Sequence, residues 1–279
     1  MAEKYSEQHT IASYEVDSQQ MLRPTALLDW MQDAAGFSAD TLGFGYDDMI
    51  GSNTTWVLSR THVRFHHYPK WREVVNLKTW HKGAHRLFYL RDFTIHNAEG
   101  VLLADATTSW LVIDVNTHRL VTSRNAELAE SSEKCVREDA IVEPADKVTL
   151  PAGVELRPIA EHKVAWSDVD YVGHANNVKY LVWALDALDG EGLYVGRELR
   201  DVVINYDSEV RKGQVVEIFH CEDANGICYI QGKVEGRPHF TMQLTFSEWP
   251  KRYCGPAMAA GIRYVKQRHI PLLGMCLWC

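Results

Sequence analysis

The sequence predicts an α+β protein made of two copies of one unit, a long helix wrapped by an antiparallel β-sheet. Three observations support this prediction. Each half of the 279-residue chain contains one strong helical pattern, several strand-like runs follow that pattern, and the order of elements is the same in both halves. An apolar fraction of 46% and a charged fraction of 24% are ordinary for a soluble globular chain, so a core of useful size can form.

The first half opens with a strand-like run at residues 9–17, and a helix is predicted from Pro24 to Gly43. Proline in the first turn and glycine after the last turn are typical of helix ends. Apolar residues recur at helical spacing along this segment: Leu27, Leu28, Met31, Ala34 and Ala35. Four strands are predicted to follow, at 55–67, 73–82, 86–97 and 101–114.

The second half repeats this order. A strand at 157–166 and a helix at 177–188 precede four strands, at 199–207, 214–223, 226–235 and 238–247. Asn225-Gly226 is a typical hairpin turn between two of these strands. The segment between the halves is more charged and is interrupted by prolines, which indicates a linker. We therefore predict an N-terminal lobe at 1–125, a linker at 126–154, a C-terminal lobe at 155–249 and a tail of unassigned role at 250–279.

Sliding the chain on itself by 153 residues aligns identical residues within the strand–loop–helix unit of each half. The pairs are Val16–Val169, Asp17–Asp170, Leu28–Leu181, Trp30–Trp183, Asp33–Asp186 and Ala34–Ala187. Together with the shared element order, these pairs indicate an internal duplication. A helix wrapped by antiparallel strands is the plan of the hotdog fold, so we predict a tandem hotdog whose two copies supply each other's interface.

Composition argues against several classes of function. The net charge of −8 does not favour nucleic-acid binding, and the chain lacks an apolar run long enough to span a membrane. The first ten residues are polar and contain no apolar core of a signal peptide, so we expect a cytoplasmic protein without membrane or nucleic-acid partners. The sequence also lacks GxGxxG, GxxxxGK[ST] and GxSxG motifs, which leaves nucleotide binding and serine-hydrolase chemistry unsupported.

The cysteines and histidines do not predict a metal site. The six cysteines are scattered, and the terminal Cys276 and Cys279 have no second pair. His62, His66 and His67 lie near one strand end, with no acidic or cysteine ligand at useful spacing. We expect neither a metal nor a cofactor.

Residues suited to chemistry are concentrated at 167–180, between a predicted strand and a predicted helix. Asp170 is a candidate general base or nucleophile, and His174 is placed to orient a carbonyl, a carboxylate or a water. The helix start offers unpaired N–H groups that would stabilise an oxyanion, and Gly173 would permit close approach to the backbone. Asp, Gly and Asn are also common helix caps, so a structural role for this cluster stays open.

The first copy weighs against the purely structural role. It keeps Asp17 but has Met21 at the position of His174. It also has Leu22-Arg23-Pro24 where the second copy has Ala175-Asn176-Asn177. The polar cluster is therefore not required by the folding unit, which indicates one chemical copy and one copy that lines an apolar pocket.

The segment resembles the D-x-x-G-H-x-N-N-x-x-Y signature of hotdog thioesterases. Residues 5–249 as a whole resemble the bacterial and plant acyl-acyl carrier protein thioesterases. Supporting stretches are Trp56-Val57-Leu58-Ser59-Arg60, Tyr68-Pro69-Lys70-Trp71, Thr79-Trp80, Arg91-Asp92-Phe93 and Ser109-Trp110-Leu111-Val112-Ile113-Asp114. The resemblance implies a tandem hotdog that hydrolyses phosphopantetheine-linked acyl-acyl carrier protein to free fatty acid, with an N-terminal lobe that shapes the acyl pocket.

The resemblance also assigns residues. The family's catalytic aspartate falls on Asp170 and its histidine on His174, whereas its asparagine falls on Val172 and its glutamate–cysteine pair on Glu209-Val210. A cysteine–histidine–asparagine mechanism is therefore unavailable. The base or nucleophile role moves to Asp170, with Glu209 as a second polar partner or, alternatively, a solvated residue at a strand end.

Substrate-binding candidates come from both halves: Gly173, Ala175, Asn176, Asn177, Met21, Leu27, Met31, Trp56 and Leu58. An acyl-CoA thioesterase, a non-catalytic acyl-binding regulator and a dehydratase remain alternatives. The sequence does not give the preferred acyl chain length, and it leaves a homodimer open.

Overall fold

The computed structural model describes residues 3–121 and 134–248. The predicted tail and its terminal cysteines lie outside these residues, as does the first part of the predicted linker. Two lobes share the order of one strand, one long helix and four strands, and the N-terminal lobe adds a short second helix. The N-terminal lobe contains β1 (Tyr5–Thr10), α1 (Pro24–Leu42), α2 (Tyr46–Gly51), β2 (Thr54–Phe65), β3 (Val74–His85), β4 (Phe88–Asn97) and β5 (Leu102–Asp114). The C-terminal lobe contains β6 (Arg157–Lys163), α3 (Asn177–Gly190), β7 (Arg197–Tyr206), β8 (Val215–Glu222), β9 (Cys228–Val234) and β10 (Arg237–Glu248).

The strands of both lobes form a single ten-stranded sheet in the order β1-β3-β4-β5-β2-β7-β10-β9-β8-β6. The two lobes meet at β2 and β7, which pair antiparallel from Arg60 opposite Asn205 to Arg64 opposite Asp201. Helices α1 and α3 contact each other and share one buried hydrophobic core with the inner face of the sheet. Each lobe thus supplies the surface that the other lobe covers.

Helix α1 shows how local sequence sets the bounds of an element. Pro24 occupies its first turn, and Gly43 ends it in a left-handed conformation with φ of 73°. The predicted apolar stripe, including Leu27, Met31 and Ala34, is buried against the sheet. The predicted start and end of this helix are therefore confirmed.

The 153-residue offset holds in three dimensions. Short 3₁₀ turns occupy Ser13–Glu15 and Trp166–Asp168. The following loops are closed by equivalent bridges, Val16 to Leu22 and Val169 to Ala175. In both lobes a histidine ring stacks on a helix tryptophan: His9 on Trp30 and His162 on Trp183, with centroids 4.5 and 4.6 Å apart.

The strand predicted at residues 9–17 is wrong in its bounds, because β1 ends at Thr10. The Glu15 carboxylate accepts the backbone N–H of Ala12 at 2.7 Å and the indole N–H of Trp30 at 2.8 Å. These side-chain bonds favour a turn over an extended chain. The predicted strand at 157–166 ends at Lys163 for the same reason, since the Asp168 carboxylate accepts the N–H of Ala165 at 2.7 Å.

Residues 134–154, the described part of the predicted linker, cross the sheet face opposite the helices. Neighbouring residues in a strand face opposite sides, so Val203 points away from the core that contains Val202. Val203 packs against Val148 of this segment. The buried carboxylate of Asp92 accepts the N–H of Ala140 at 2.8 Å. The segment is therefore anchored to the outer face of both lobes.

In the two described ranges, no helix combines the length and apolar character needed to cross a bilayer.

Candidate active site

A cavity of about 560 Å³ lies between the two lobes. Asp170, His174 and Glu209 of the C-terminal lobe line it, and aromatic residues such as Trp56 and Trp110 line it from the N-terminal lobe. Its volume falls in the range of pockets that bury small organic ligands, roughly 300–1,000 Å³. The three predicted catalytic residues therefore share one chamber with apolar side chains from the other lobe.

The loop that carries Asp170 is closed by its own backbone. The N–H of Asp170 donates to the His174 carbonyl at 3.0 Å, and Asp170 Oδ1 accepts the N–H of Val172 at 3.0 Å. Gly173 has a φ of 91°, which favours glycine, and a Cβ there would meet no atom within 4 Å. This glycine is explained by the turn it makes. It holds the Asp170 carboxylate at the cavity wall.

His174 and Glu209 form a side-chain pair, with Nε2 of the imidazole 3.0 Å from Oε2 of the carboxylate. They come from two different loops, one before α3 and one after β7. This contact is within ion-pair distance and places a carboxylate beside Nε2 of the ring. Arg211 lies 3.8 Å from the same Glu209 oxygen. The pair fixes the orientation of the imidazole.

The start of helix α3 presents backbone donors to the cavity. Asn176 is its N-cap, with Oδ1 accepting the N–H of Val178 at 2.9 Å. The N–H of Ala175 donates to the Val210 carbonyl at 2.8 Å. Within the described part of the chain, the backbone N–H groups of His174 and Asn177 donate to no acceptor. Both residues line the cavity, so their amides are candidates to stabilise an oxyanion.

The other substrate-binding candidates fall in different places. Trp56, Leu58, Ala175 and Asn177 line the cavity. Asn176 and Gly173 belong to the helix cap and the loop and are not in its wall. Met31 lines only a second cavity of about 30 Å³, which shares Leu58 and Asn177 with the first. Met21 and Leu27 are buried and contribute to neither wall.

Several cavity residues were not predicted from the sequence. Tyr46 of α2 and Tyr171 of the Asp170 loop meet edge to face across the lobes, with centroids 5.5 Å apart. Tyr89 and Arg91 of β4 also line the wall. These residues become neighbours of the site only when the lobes pair, so no local pattern marks them. Tyr180 differs, because it is the tyrosine of the H-x-N-N-x-x-Y pattern.

Tyr180 lines the same cavity as the two carboxylates of the site. Burial raises the pKa of its phenol, and the charges of Glu209 and Asp170 raise that pKa further. The phenol is therefore neutral at physiological pH. Its ring packs edge-on against Tyr206, which also lines the cavity.

The equivalent position in the N-terminal lobe is filled. The N–H of Leu22 donates to the Pro69 carbonyl at 2.9 Å, which is the counterpart of the Ala175–Val210 bond. Met21 and Tyr68 therefore stand where His174 and Glu209 stand in the C-terminal lobe. Neither side chain offers a free polar group for a reaction, since Met21 is buried and the Tyr68 hydroxyl donates to the Leu199 carbonyl at 2.7 Å. The duplication has kept one polar site.

The His62 and His66 rings have acidic neighbours that the sequence did not indicate. His62 Nε2 lies 2.8 Å from Asp201 and His66 Nε2 lies 3.4 Å from Asp105. These carboxylates come from other strands of the sheet. Within residues 3–121 and 134–248, no group of three or more His, Cys, Asp or Glu side chains is arranged to hold a metal ion.

Comparison with known proteins shows the family of the chain. Residues 2–129 match the model of the acyl-ACP thioesterase N-terminal domain, and residues 154–248 match that of the acyl-ACP thioesterase C-terminal domain. The chain belongs to the acyl-ACP thioesterase family. The resemblance drawn from the sequence of residues 5–249 is thereby confirmed.

Individual relatives are distant. The oleoyl-acyl carrier protein thioesterase of Coriandrum sativum, a chloroplastic protein, is 26% identical over 226 residues, which cover 76% of this chain and 61% of the relative. The chloroplastic palmitoyl-acyl carrier protein thioesterase of Gossypium hirsutum is 28% identical over 235 residues, with coverage of 76% and 54%. The chain thus spans somewhat over half of the length of these curated relatives.

A solved acyl-ACP thioesterase from Bacteroides thetaiotaomicron superposes with a TM-score of 0.78 at 24% identity, covering 88% of this chain and 98% of the other. This likeness confirms the predicted tandem hotdog fold of the α+β class.

Two departures from the family's pattern have clear structural places. Val210, at the cysteine position, is buried in the core, and its carbonyl accepts the Ala175 N–H. Val172, at the asparagine position, is exposed and contributes its N–H to Asp170. Neither side chain can supply the thiol or amide that the family pattern implies.

Proposed function

We propose that this protein hydrolyses fatty acyl-acyl carrier protein thioesters to free fatty acid and holo carrier protein. One observation carries the proposal: Asp170, His174 and Glu209 face a cavity whose remaining wall is largely apolar and comes mostly from the other lobe. A polar end for the thioester and an apolar chamber for the chain are the two parts that such a substrate needs. Membership in the family supports the same reaction.

Substrate binding would place the thioester carbonyl at the start of α3. The amides of His174 and Asn177 would then donate to the carbonyl oxygen and more strongly to the oxyanion that forms on attack. The acyl chain would extend between Trp56 and Leu58 towards β4. We propose that the N-terminal lobe shapes the acyl pocket and that the C-terminal lobe carries the chemistry, as the domain prediction has it.

Asp170 would activate the nucleophile. As a general base, its carboxylate takes a proton from water while the water oxygen attacks the carbonyl carbon. As a nucleophile, it forms an anhydride that water then cleaves. In either route the tetrahedral intermediate collapses by breaking the carbon–sulfur bond, and the leaving thiolate takes up a proton. The neutral phenol of Tyr180 borders the same two carboxylates.

The His174–Glu209 pair would position one proton-transfer group beside the thioester. Glu209 lies beside Nε2, so Nδ1 would be free to accept a hydrogen bond from water, or to take up the proton that Asp170 removes from water and pass it to the thiolate. In this proposal Asp170 carries out the main chemical step, and His174 and Glu209 support it. The same proposal includes acyl carrier protein as the partner and a cytoplasmic location. It allows either a monomer or a homodimer.

A thiol-release assay tests the function directly. The same acyl group is presented on carrier protein and on CoA, and hydrolysis is followed across medium to long chains. Faster turnover on carrier protein is expected, whereas preference for CoA would identify an acyl-CoA thioesterase. Binding without any thiol release would indicate a non-catalytic acyl-binding protein and would contradict the proposal.

A further inference from the structure

The acyl cavity contains a buried cation for which an alkyl chain has no use. Arg91 lines the cavity and is only 6% exposed. Its Nη1 donates to Ser38 Oγ at 2.8 Å and to Thr79 Oγ1 at 3.2 Å. Among residues 3–121 and 134–248, no carboxylate lies within ion-pair distance of this guanidinium, and Nε and Nη2 are given no acceptor.

Such a group is costly to bury without a counter-charge. Burial lowers the pKa of Arg91 to about 10, which still leaves the guanidinium charged at neutral pH. Hydrogen bonds to two neutral hydroxyls account for one of its three nitrogens. The other two nitrogens, Nε and Nη2, donate to no protein acceptor in the described part of the fold.

Tyr89 provides a second, independent observation on the same wall. It is two residues from Arg91 in β4, so both side chains point to the helix side of the sheet. Tyr89 lines the cavity, is 5% exposed, and its buried hydroxyl has no hydrogen-bond partner among the described residues. Buried hydroxyls are nearly always paired, and an unpaired one is unfavourable. The fold alone does not explain it.

We propose that Arg91 and Tyr89 form a subsite that binds a hydrogen-bond-accepting oxygen on the acyl chain itself. The substrates would be acyl thioesters that carry an oxo, hydroxyl or carboxylate oxygen at a distance from the thioester. Both side chains offer donors, so the matching group must be an acceptor. The inference rests on the proposed function, because it names the class of acyl group that the same cavity takes.

The position of the oxygen follows from the topology. Asp170 belongs to the C-terminal lobe, whereas Arg91 and Tyr89 belong to β4 of the N-terminal lobe. Apolar and aromatic residues, among them Trp56 and Leu58, line the same cavity. Three strand spacings of about 4.8 Å each separate β4 from β7, the strand that leads to Glu209, so a chain held at Asp170 would reach the donors with a carbon remote from the carbonyl.

The test compares pairs of acyl-carrier proteins of equal chain length, one plain and one with an oxygen placed mid-chain or at the far end. The measured quantity is the ratio of kcat/KM for the oxygenated chain to that for the plain chain. Tyr89→Phe removes only the unpartnered hydroxyl, and we expect the ratio to fall by about tenfold. We expect a larger fall for Arg91→Met. Separate arms with oxo, hydroxyl and carboxylate chains identify the oxygen.

Tyr229→Phe is the matched control, since Tyr229 is also buried but lies on the sheet face opposite the helices. Its ratio should equal that of the parent protein. An unchanged ratio in Tyr89→Phe overturns the proposed subsite. If Arg91→Met does not fold, the comparison of Tyr89→Phe with Tyr229→Phe is sufficient to test the proposal. A parent protein that prefers plain chains in every arm also overturns it.

Calorimetric binding of the corresponding free acids to the full chain separates this inference from the proposed function. If no thioester is hydrolysed, the proposed function fails, and tighter binding of oxygenated acids that is lost in Tyr89→Phe still supports the subsite. If plain thioesters are hydrolysed and oxygenated acids bind no more tightly than plain ones, only the subsite fails.

Discussion

His174 Nε2 and Glu209 Oε2 lie 3.0 Å apart, although the two residues are on separate loops. The first loop opens helix α3 and the second follows β7. The bond between the Ala175 N–H and the Val210 carbonyl joins the same loops one residue further along. The backbone bond sets the spacing of the loops, and the side-chain pair uses it. The geometry of this candidate pair therefore depends on how the two loops are joined.

Asp170→Asn should abolish most of the turnover while the fold is retained. The amide keeps a hydrogen-bond acceptor for the Val172 N–H but is neither a base nor a nucleophile. We expect kcat to fall by roughly 10²–10⁴-fold or more. Thiol release from acyl-carrier protein measures this loss, and circular dichroism checks the fold.

Asp17→Asn is the matched control, because Asp17 makes the equivalent turn in the other lobe, accepting the N–H of Gln19 at 2.8 Å. Its turnover should stay near that of the parent protein. Near-normal activity in Asp170→Asn, or an equal loss in both variants, would contradict the assignment.

A double-mutant cycle tests whether Glu209 acts through His174. His174→Ala should lower kcat by less than Asp170→Asn does, and Glu209→Gln should lower it by about tenfold, because the imidazole loses its charged partner. The double variant should lose little more than His174→Ala alone. Strictly multiplicative losses would show that Glu209 acts independently, as a contact to substrate or as a solvated residue.

Asp92 should be a main anchor of the segment at 134–154. It is fully buried, lies 3.3 Å from Lys82 Nζ and accepts the Ala140 N–H. Asp92→Ala takes the buried carboxylate away from that lysine and leaves the amide without its acceptor, so we expect a loss of about 3–5 kcal/mol in the free energy of unfolding. Urea unfolding provides the measurement.

Asp139 gives the contrast on the same lysine. Its carboxylate lies 3.1 Å from Lys82 Nζ but is half exposed. Asp139→Asn should therefore cost at most about 1 kcal/mol. Similar losses for Asp92→Ala and Asp139→Asn would mean that burial of the first pair does not set its contribution.

His220 should make the protein less stable in mild acid. Its ring is buried, and in the part of the chain that the structure describes neither ring nitrogen has a hydrogen-bond partner. Burial, and then the charge of Arg157, lower its pKa in the folded state. The unfolded chain therefore takes up a proton at higher pH than the folded protein, and stability falls as pH drops below about 6.5, the ordinary value for histidine.

His220→Leu removes this proton uptake. The difference in unfolding free energy between pH 7.5 and pH 5.5 should shrink in this variant and stay unchanged in His85→Leu, where the histidine is exposed. Urea midpoints at the two pH values decide. An undiminished pH dependence in His220→Leu would rule out His220 as its source.

Element order and most element bounds were predictable because local chemistry sets them. Pro24 and Gly43 mark the ends of α1 through their own backbone preferences. The end of β1 was not predictable, because it depends on where the Glu15 side chain finds its donors. The strand-like pattern at residues 9–17 does not indicate which donors the Glu15 carboxylate will bind.

The candidate site was predictable where it is contiguous. Asp170 and His174 lie in one segment, and Glu209 followed from the family pattern. Tyr89 and Arg91 were not recognised, since a strand sequence does not reveal which cavity its inner face will border. The pairing of Tyr46 with Tyr171 depends on two lobes meeting, and no spacing along the chain encodes that distance.

The antiparallel join between β2 and β7 has an evolutionary consequence. In a homodimer joined in this way, every substitution would appear in both halves at once. Replacing the polar pair of one site by methionine and tyrosine would therefore replace it in the other site as well. On one chain the halves mutate separately. Met21 and Tyr68 could replace a polar pair on one side while His174 and Glu209 remained on the other. Covalent fusion thus allows pocket shape to diversify without changing the reacting groups, and the same independence is available to protein engineering.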